Sequence, residues 1–476
     1  MSIMQIFLPI IVGLFCWIAI ILRWRMGVYL LAAYTPFTGL IVAAFYPNQL
    51  GNLLRDLVIV GPLYVGFFIF RREHDKVRVP QFLALVYLIF AVIVTIQMAN
   101  PGVPNFGVAL IGAKTWLFYI PLLFVGAAFL RQRQDLIDLL RILSLGAWVA
   151  CGIGIIMWLA GLTGDYREAV DFFYGSFGRI ASGNYTGIGV GDYYMYRIPS
   201  TFRFVSQYGT YCLLMTFMVL IAVQVDKHPS WRLFHLVTLA LVSLAGITSG
   251  ARANFLFIPL AFLITSALRS SVTGKRSNAM GIMVLVLLAI GFYQFDRAGI
   301  LDDIVDLTKK YGGSAAAFDF LAGWDKGGIL GQGVGTNTNA ARHAVTETAL
   351  SQEVSAFLEN YYAKAMVELG VVGLVWLAIC FGSLMVFMVR AVRATTNEEM
   401  KIVCATLTGM IGLFIASSIK GWALDTDPMS YFFWLMAGIA LKMPFVVADP
   451  RQWQSAASLR RPLPGRSAVA QGHRPF

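Results

Sequence analysis

Thirteen stretches of this 476-residue chain are long and apolar enough to suggest bilayer crossings, and they occupy most of it. A helix needs ~20 apolar residues to span the ~30 Å hydrocarbon core. The stretches are 3–22, 27–46, 53–70, 82–99, 106–129, 139–160, 204–225, 232–248, 253–268, 279–295, 356–389, 402–419 and 428–447. Composition points the same way: 58% of residues are hydrophobic and 13% charged, which excludes both an ordinary soluble domain and a disordered chain. The expected fold is an all-α polytopic membrane protein of about 13 transmembrane helices (12–14) with large outer loops. The shortest spans, 232–248 and 253–268, are the weakest. The longest, 356–389, is expected to begin outside the bilayer as a polar turn or two.

The net charge of +12 would suit a nucleic-acid binder, but its distribution gives topology instead. Alternate connections hold Arg23/Arg25, Arg71/Arg72/Lys76/Arg78, Arg131/Arg133/Arg141, Lys227/Arg232, Arg269/Lys275/Arg276, Arg390/Arg393/Lys401 and six basic residues from Lys442 onward. This set carries 23 basic and eight acidic residues, net +15, against −3 for the rest. Positive loops stay in the cytoplasm. The N-terminus is therefore expected outside and the C-terminus in the cytoplasm, with no nucleic-acid partner.

The expected layout is transmembrane helices over 1–160, an outer loop over 161–203, and helices again over 204–295. A large outer loop over 296–355, helices over 356–447 and a disordered basic tail over 448–476 follow. The first span has no basic leader and is followed by Arg23-Trp24-Arg25, so it reads as a retained helix, not a cleaved signal. Cys16, Cys151, Cys212, Cys380 and Cys404 all fall in spans, at no metal-site spacing, and read as small apolar residues. Leu301, Ile304, Val305 and Leu307 have the spacing of a surface helix.

The candidate site residues lie on the outer side. Arg252, in Thr248-Ser249-Gly250-Ala251-Arg252-Ala253-Asn254, is a cation at the outer start of a span, against the charge bias; its plain alternative is a headgroup anchor. Arg197 and Arg203 bracket Pro199 just before another span, and guanidinium forks suit a membrane-bound pyrophosphate. Gly331-Gln332-Gly333-Val334-Gly335 lacks the Lys-Ser/Thr pair of a phosphate loop and reads better as a tight turn needing positive φ. Asn337 and Asn339 beyond it could meet sugar hydroxyls. Asn360, Lys364 and Glu368 succeed one another at one-turn spacing, so Lys364 and Glu368 are expected to satisfy each other and leave Glu359 free. His343 is a lone outer histidine, of a kind more often structural than catalytic.

In their order along the chain these residues resemble the O-antigen polymerase/ligase superfamily. The resemblance covers roughly residues 195–390. It rests on Arg197-Ile-Pro-Ser-Thr201-Phe202, Ser-Gly-Ala-Arg-Ala around Arg252, Gly333-Val334-Gly335, and Glu359-Asn360-Tyr361-Tyr362 followed by Glu368-Leu369-Gly370-Val371-Val372-Gly373. The ligase branch has His-Asn, nine residues, then Gly-x-x-Gly; here Glu359 stands where that histidine would be, which leans toward the polymerase branch. The resemblance implies a membrane-embedded glycosyltransferase without cofactor or metal. It would join lipid-linked oligosaccharide units into O-antigen, capsule or exopolysaccharide at the outer face of the inner membrane. The donor would be a polyprenyl-diphosphate-linked oligosaccharide, with membrane lipids, a chain-length regulator and a flippase as partners.

On that footing Glu359 is the candidate base, Arg252 and Arg197 the diphosphate ligands, Arg203 a weaker third, and Asn360, Asn337 and His343 sugar contacts. Two alternatives stay open. One is a ligase that transfers glycan to a lipid acceptor. The other is a polysaccharide transporter or flippase, with Lys114, Lys420, Asp425 and Asp427 lining its path.

Overall fold

The structure is a computed structural model. It describes residues 3–45, 50–71, 77, 79–164, 166–174, 188–190, 193–251, 253–274, 286, 314–338, 360–419, 421 and 423–446. These are mostly helical, and the strands among them form a short antiparallel hairpin that pairs Ile188–Val190 with Tyr193–Met195.

Among the described residues, nine helices are long and apolar enough to cross a membrane. They are Trp24–Phe45, Leu53–Phe70, Phe106–Phe129, Arg133–Thr163, Val205–Val225, Pro229–Thr248, Asn254–Thr273, Tyr361–Ala394 and Glu398–Ser417. Three shorter apolar helices, Gly13–Leu22, Gln81–Gln97 and Met429–Phe445, fall on the expected stretches 3–22, 82–99 and 428–447. The stretch 279–295 apart from residue 286, the surface helix expected at 301–307 and the tail from 448 lie outside the described residues. The chain is thus a multi-pass, helical membrane protein.

Val205–Val225 is the central helix. It packs against Arg133–Thr163, Pro229–Thr248, Asn254–Thr273 and Glu398–Ser417, and 83% of its apolar window is buried. That explains why it is apolar all round instead of on one stripe. The outer helices turn Phe15, Leu88, Ile96, Leu233 and Leu256 outward, as helices solvated by lipid can. Close crossings use small residues, because lipid gives apolar side chains no reason to separate from it and backbone approach must supply the contact. A Cβ on Gly126 would stand 2.1 Å from the Leu435 carbonyl oxygen, and one on Gly438 would stand 2.0 Å from that of Leu123. Helix Ser314–Gly327 docks in the same way. Its Gly323 and Gly327, four apart on one face, lie against Ala363 and Met366.

The two ends of the bundle differ. One end carries the turns near residues 23, 131, 227 and 396, tied by Arg25–Asp135 (2.6 Å), Arg133–Glu399 (2.8 Å) and Arg141–Asp226 (2.7 Å). The other carries 98–105, 196–204, 249–251, 328–338 and the described residues of 418–428. There the described chain folds back between helices, and the described candidate residues fall at this end.

Candidate functional site

The centre of the loop-bearing end is a broken helix. Tyr361–Ala394 is interrupted at Gly370, whose φ of 70° and ψ of −174° are accessible to glycine alone in practice. The break frees the carbonyls of Val367 and Glu368 and the N–H groups of Val371 and Val372. Buried polar backbone must find partners, and all four find them in one segment. Gln332 N–H donates to Val367 O (2.7 Å) and Gly333 N–H to Glu368 O (3.1 Å); Val371 N–H donates to Gly328 O (3.2 Å) and Val372 N–H to Ile329 O (3.4 Å). The segment follows this path because Gly331, Gly333 and Gly335 take φ of 78°, 99° and 89°. Gly335 also abuts Gly112, where a Cβ would lie 2.3 Å from the Gly335 nitrogen. The amides of 331–333 are therefore spent on protein carbonyls, as a structural turn requires and an anion-binding loop does not.

Before the break, the helix start is polar but buried, not solvated. Asn360 caps it, its Oδ1 accepting from Tyr362 N–H (2.9 Å) and Ala363 N–H (3.3 Å). Lys364 and Glu368 are both fully buried, yet they do not satisfy each other as their spacing suggests. Lys364 pairs with Asp425 and lies 5.2 Å from the Trp116 ring centre. Glu368 accepts from Trp116 Nε1 (2.7 Å), Asn337 N–H (3.0 Å) and Thr338 Oγ1 (2.9 Å). Tertiary neighbours outcompete the one-turn pair because in a dry interior each charge takes the partners with the best geometry. Burial pushes the Asp425 carboxyl up from its ordinary value, against the pull of Lys364.

A second buried charge group adjoins the first through the 106–129 helix. Arg55 Nε donates to Asp56 (3.0 Å), its Nη1 pairs with Asp427 (2.5 Å), and its Nη2 donates to the Tyr119 hydroxyl. Lys114 pairs with the other Asp56 oxygen (2.5 Å), and Tyr119 donates to Asp56 (2.8 Å). The guanidinium lies 4.8 Å from the Tyr431 ring centre. Sequence reading singled out Lys114 and Asp427 but passed over Arg55 and Asp56. The available signal was two adjacent charges at the very start of an apolar run, the same signal that marked Arg252.

The third element is the turn at 197–203. Ile198 N–H donates to Ser249 O (3.0 Å), and a Cβ on Gly250 would lie 3.0 Å from the Arg197 Cα. So Arg197 is seated on the Ser249-Gly250-Ala251 turn that leads into position 252. The Arg197 Nε is buried with no hydrogen-bond partner among the described residues. Beyond it, Ser200 has a φ of 52°, and Gly39 N–H donates to Thr201 O (2.9 Å), which pins the turn between helices. Arg203 sits 5.0 Å from the Phe204 ring centre.

Of the sequence-predicted residues, Arg197, Arg203, Asn337 and Asn360 are described, and all four lie at this one end. Asn337 is 5% exposed, and its Nδ2 has no partner among the described residues. Arg252, His343 and Glu359 lie outside the described residues, as do Asn339 and Lys420. Among the described residues, this end offers a guanidinium with an unspent donor, a buried amide with an unspent donor, and a frame of paired charges. No protein-family model matches this chain, and no curated protein sequence matches it.

Proposed function

We propose that this chain is a membrane glycosyltransferase of polysaccharide assembly. It joins lipid-linked oligosaccharide units by moving a glycan from polyprenyl diphosphate to an acceptor sugar hydroxyl. In this reading the chain spans the bacterial inner membrane thirteen times, and the loop-bearing end faces outward. The observation that carries the reading is Arg197, a guanidinium seated on the turn that precedes Arg252, with a buried Nε that has no hydrogen-bond partner among the described residues. Such a donor suits a diphosphate leaving group, whose charge grows as the glycosidic bond breaks.

The chemistry needs a base as well. Glu359, just before the cap Asn360, takes the acceptor proton as that hydroxyl attacks C1, a contribution of about 10²–10⁴-fold. Arg252 and Arg197 hold the departing diphosphate and Arg203 assists. Asn337, Asn360 and His343 contact sugar, Asn360 through its amide nitrogen, since its oxygen is committed to the cap. Attack opposite the diphosphate inverts C1.

The test is lipid-linked glycan profiling in a deletion strain. Loss of the protein should leave single repeat units on the lipid carrier, on the outer leaflet. Arg252→Ala and Glu359→Gln should insert normally and fail to restore polymer. Full polymer from either variant would remove that residue from the mechanism, and a linkage that retains the donor anomer would remove inversion. Repeat units trapped on the inner leaflet would favour a flippase, and unattached long polymer a ligase. In the described structure Lys114, Asp425 and Asp427 are engaged by Asp56, Lys364 and Arg55 respectively, which suits a frame better than a conduction path.

A further inference from the structure

Glu368 is placed unlike any other carboxylate of the loop-bearing end. One residue grips both limbs of the glycine loop: its main-chain oxygen takes the Gly333 N–H on the way in, and its side chain takes Asn337 N–H and Thr338 Oγ1 on the way out. Its second carboxylate oxygen is fixed by Trp116 Nε1, which ties the loop to the 106–129 helix. Asn337 N–H and Thr338 Oγ1 both point inward to this carboxylate, yet the side-chain Nδ2 of the same Asn337 is buried with no hydrogen-bond partner among the described residues. Leaving a buried donor unmatched costs about 1–3 kcal/mol, so a fold that holds its main chain this firmly keeps the group for a purpose.

We infer that Glu368 is a positioning residue of the transfer site, and that the Asn337 amide it fixes is a donor to an uncharged oxygen of the glycan. This inference rests on the transferase reading above. The class of ligand follows from charge. Asn337 is hydrogen-bonded through its own N–H to a fully buried carboxylate, and a phosphate brought beside that carboxylate would be repelled in a low-dielectric setting. A hydroxyl or carbonyl oxygen meets no such penalty. The site therefore divides into a half for the anion, on the separate 197–203 turn, and a half for neutral sugar, at 337–338.

The test uses full-length protein in nanodiscs and two probes: polyprenyl diphosphate without sugar, and the same lipid carrying the repeat unit extracted from the deletion strain. Asn337→Ala should weaken binding of the sugar-bearing lipid about three- to tenfold, the worth of one neutral hydrogen bond, and leave the bare lipid unchanged. Arg197→Ala should weaken both. Glu368→Gln replaces two acceptor oxygens by one acceptor and one donor, so either Trp116 or the 337–338 pair loses its partner. It should reproduce the sugar-selective loss, and amide exchange over 331–338 should quicken at least about tenfold while 229–248 is unaffected. Trp116→Phe, which keeps the ring and removes only the donor, should do the same to a smaller degree and guards against a misfolded Glu368→Gln. Equal losses for both lipids in Asn337→Ala, or none, would overturn the glycan assignment; unchanged exchange over 331–338 in both other variants would overturn the anchor. If the wild-type protein binds neither lipid, the transferase reading falls and the glycan assignment with it, while the exchange measurement still decides the anchor.

Discussion

The two ends of the bundle meet the same problem, turning the chain around, in opposite ways. At the basic end, helices run out to their natural limits, turns are short, and ion pairs such as Arg133–Glu399 hold neighbours together in partly exposed positions. At the other end a helix is broken inside the bundle, a glycine loop is fitted into the break, and the buried Arg55 and Asp56 each meet several partners. Irregular backbone at membrane depth survives only where it is buried in protein or lines a cavity. The extra construction thus marks the end where something other than spanning is required, and the simple end shows what spanning alone needs.

The comparison can be broken by substitution, starting where the construction is densest. Gly370→Ala should be the most damaging change, on the order of 5 kcal/mol, because the new Cβ combines a left-handed φ with a clash. That Cβ would stand 2.2 Å from the Ile329 carbonyl oxygen. Detergent size-exclusion chromatography should return little monodisperse protein; wild-type yield and melting temperature would mean the loop does not depend on the break. Arg55→Ala leaves Asp427 without its guanidinium and Asp56 with Lys114 as its one cation, and should cost about 3 kcal/mol, read as a lowered melting temperature. A melting temperature equal to wild type would show that this cluster is not the frame described above.

At the basic end the effects should shrink. Asp226→Asn loses the Arg141 pair and should cost about 2 kcal/mol. Burial disfavours the charged Asp226, but the Arg141 hydrogen bonds and the His228 N–H outweigh it and hold the carboxyl below the usual range. A carboxyl depressed on folding adds stability above its unfolded value of about 3.9, and that stability is lost as pH falls through the folded value. Melting followed from pH 6 down to 3 should therefore decline more steeply for wild type than for Asp226→Asn. Identical slopes would deny Asp226 that role. Arg133→Ala removes a pair whose arginine side chain is 41% exposed and should shift stability by less than about 1 kcal/mol. A loss as large as that of Arg55→Ala would erase the distinction between the ends.

Much of the fold was legible beforehand, and the reason is local. An apolar run of about twenty residues specifies a spanning helix wherever its neighbours lie, so the stretches around 27–46, 139–160 and 402–419 could be read without knowing their contacts. The turn at 331–335 was also legible, since three alternate glycines announce positive φ. The candidate site was less so. Lys364 and Glu368 look like a one-turn pair, but each chose a partner far away in sequence, Asp425 and Trp116 with 337–338. Spacing along a helix says which side chains can meet, not which meeting wins.

What the sequence determined by itself is the class of molecule and the position of most helices. These follow from transfer of apolar residues into lipid, a one-residue-at-a-time property. What only the tertiary structure decided is that Gly370 breaks its helix and the 328–333 segment completes it, and that Arg55 and Glu368 are the buried posts of the loop-bearing end. It also leaves Arg197 Nε and Asn337 Nδ2 without a partner among the described residues. Those outcomes depend on hydrogen-bond partners tens to hundreds of residues apart, and the pairing is settled only when the helices are packed.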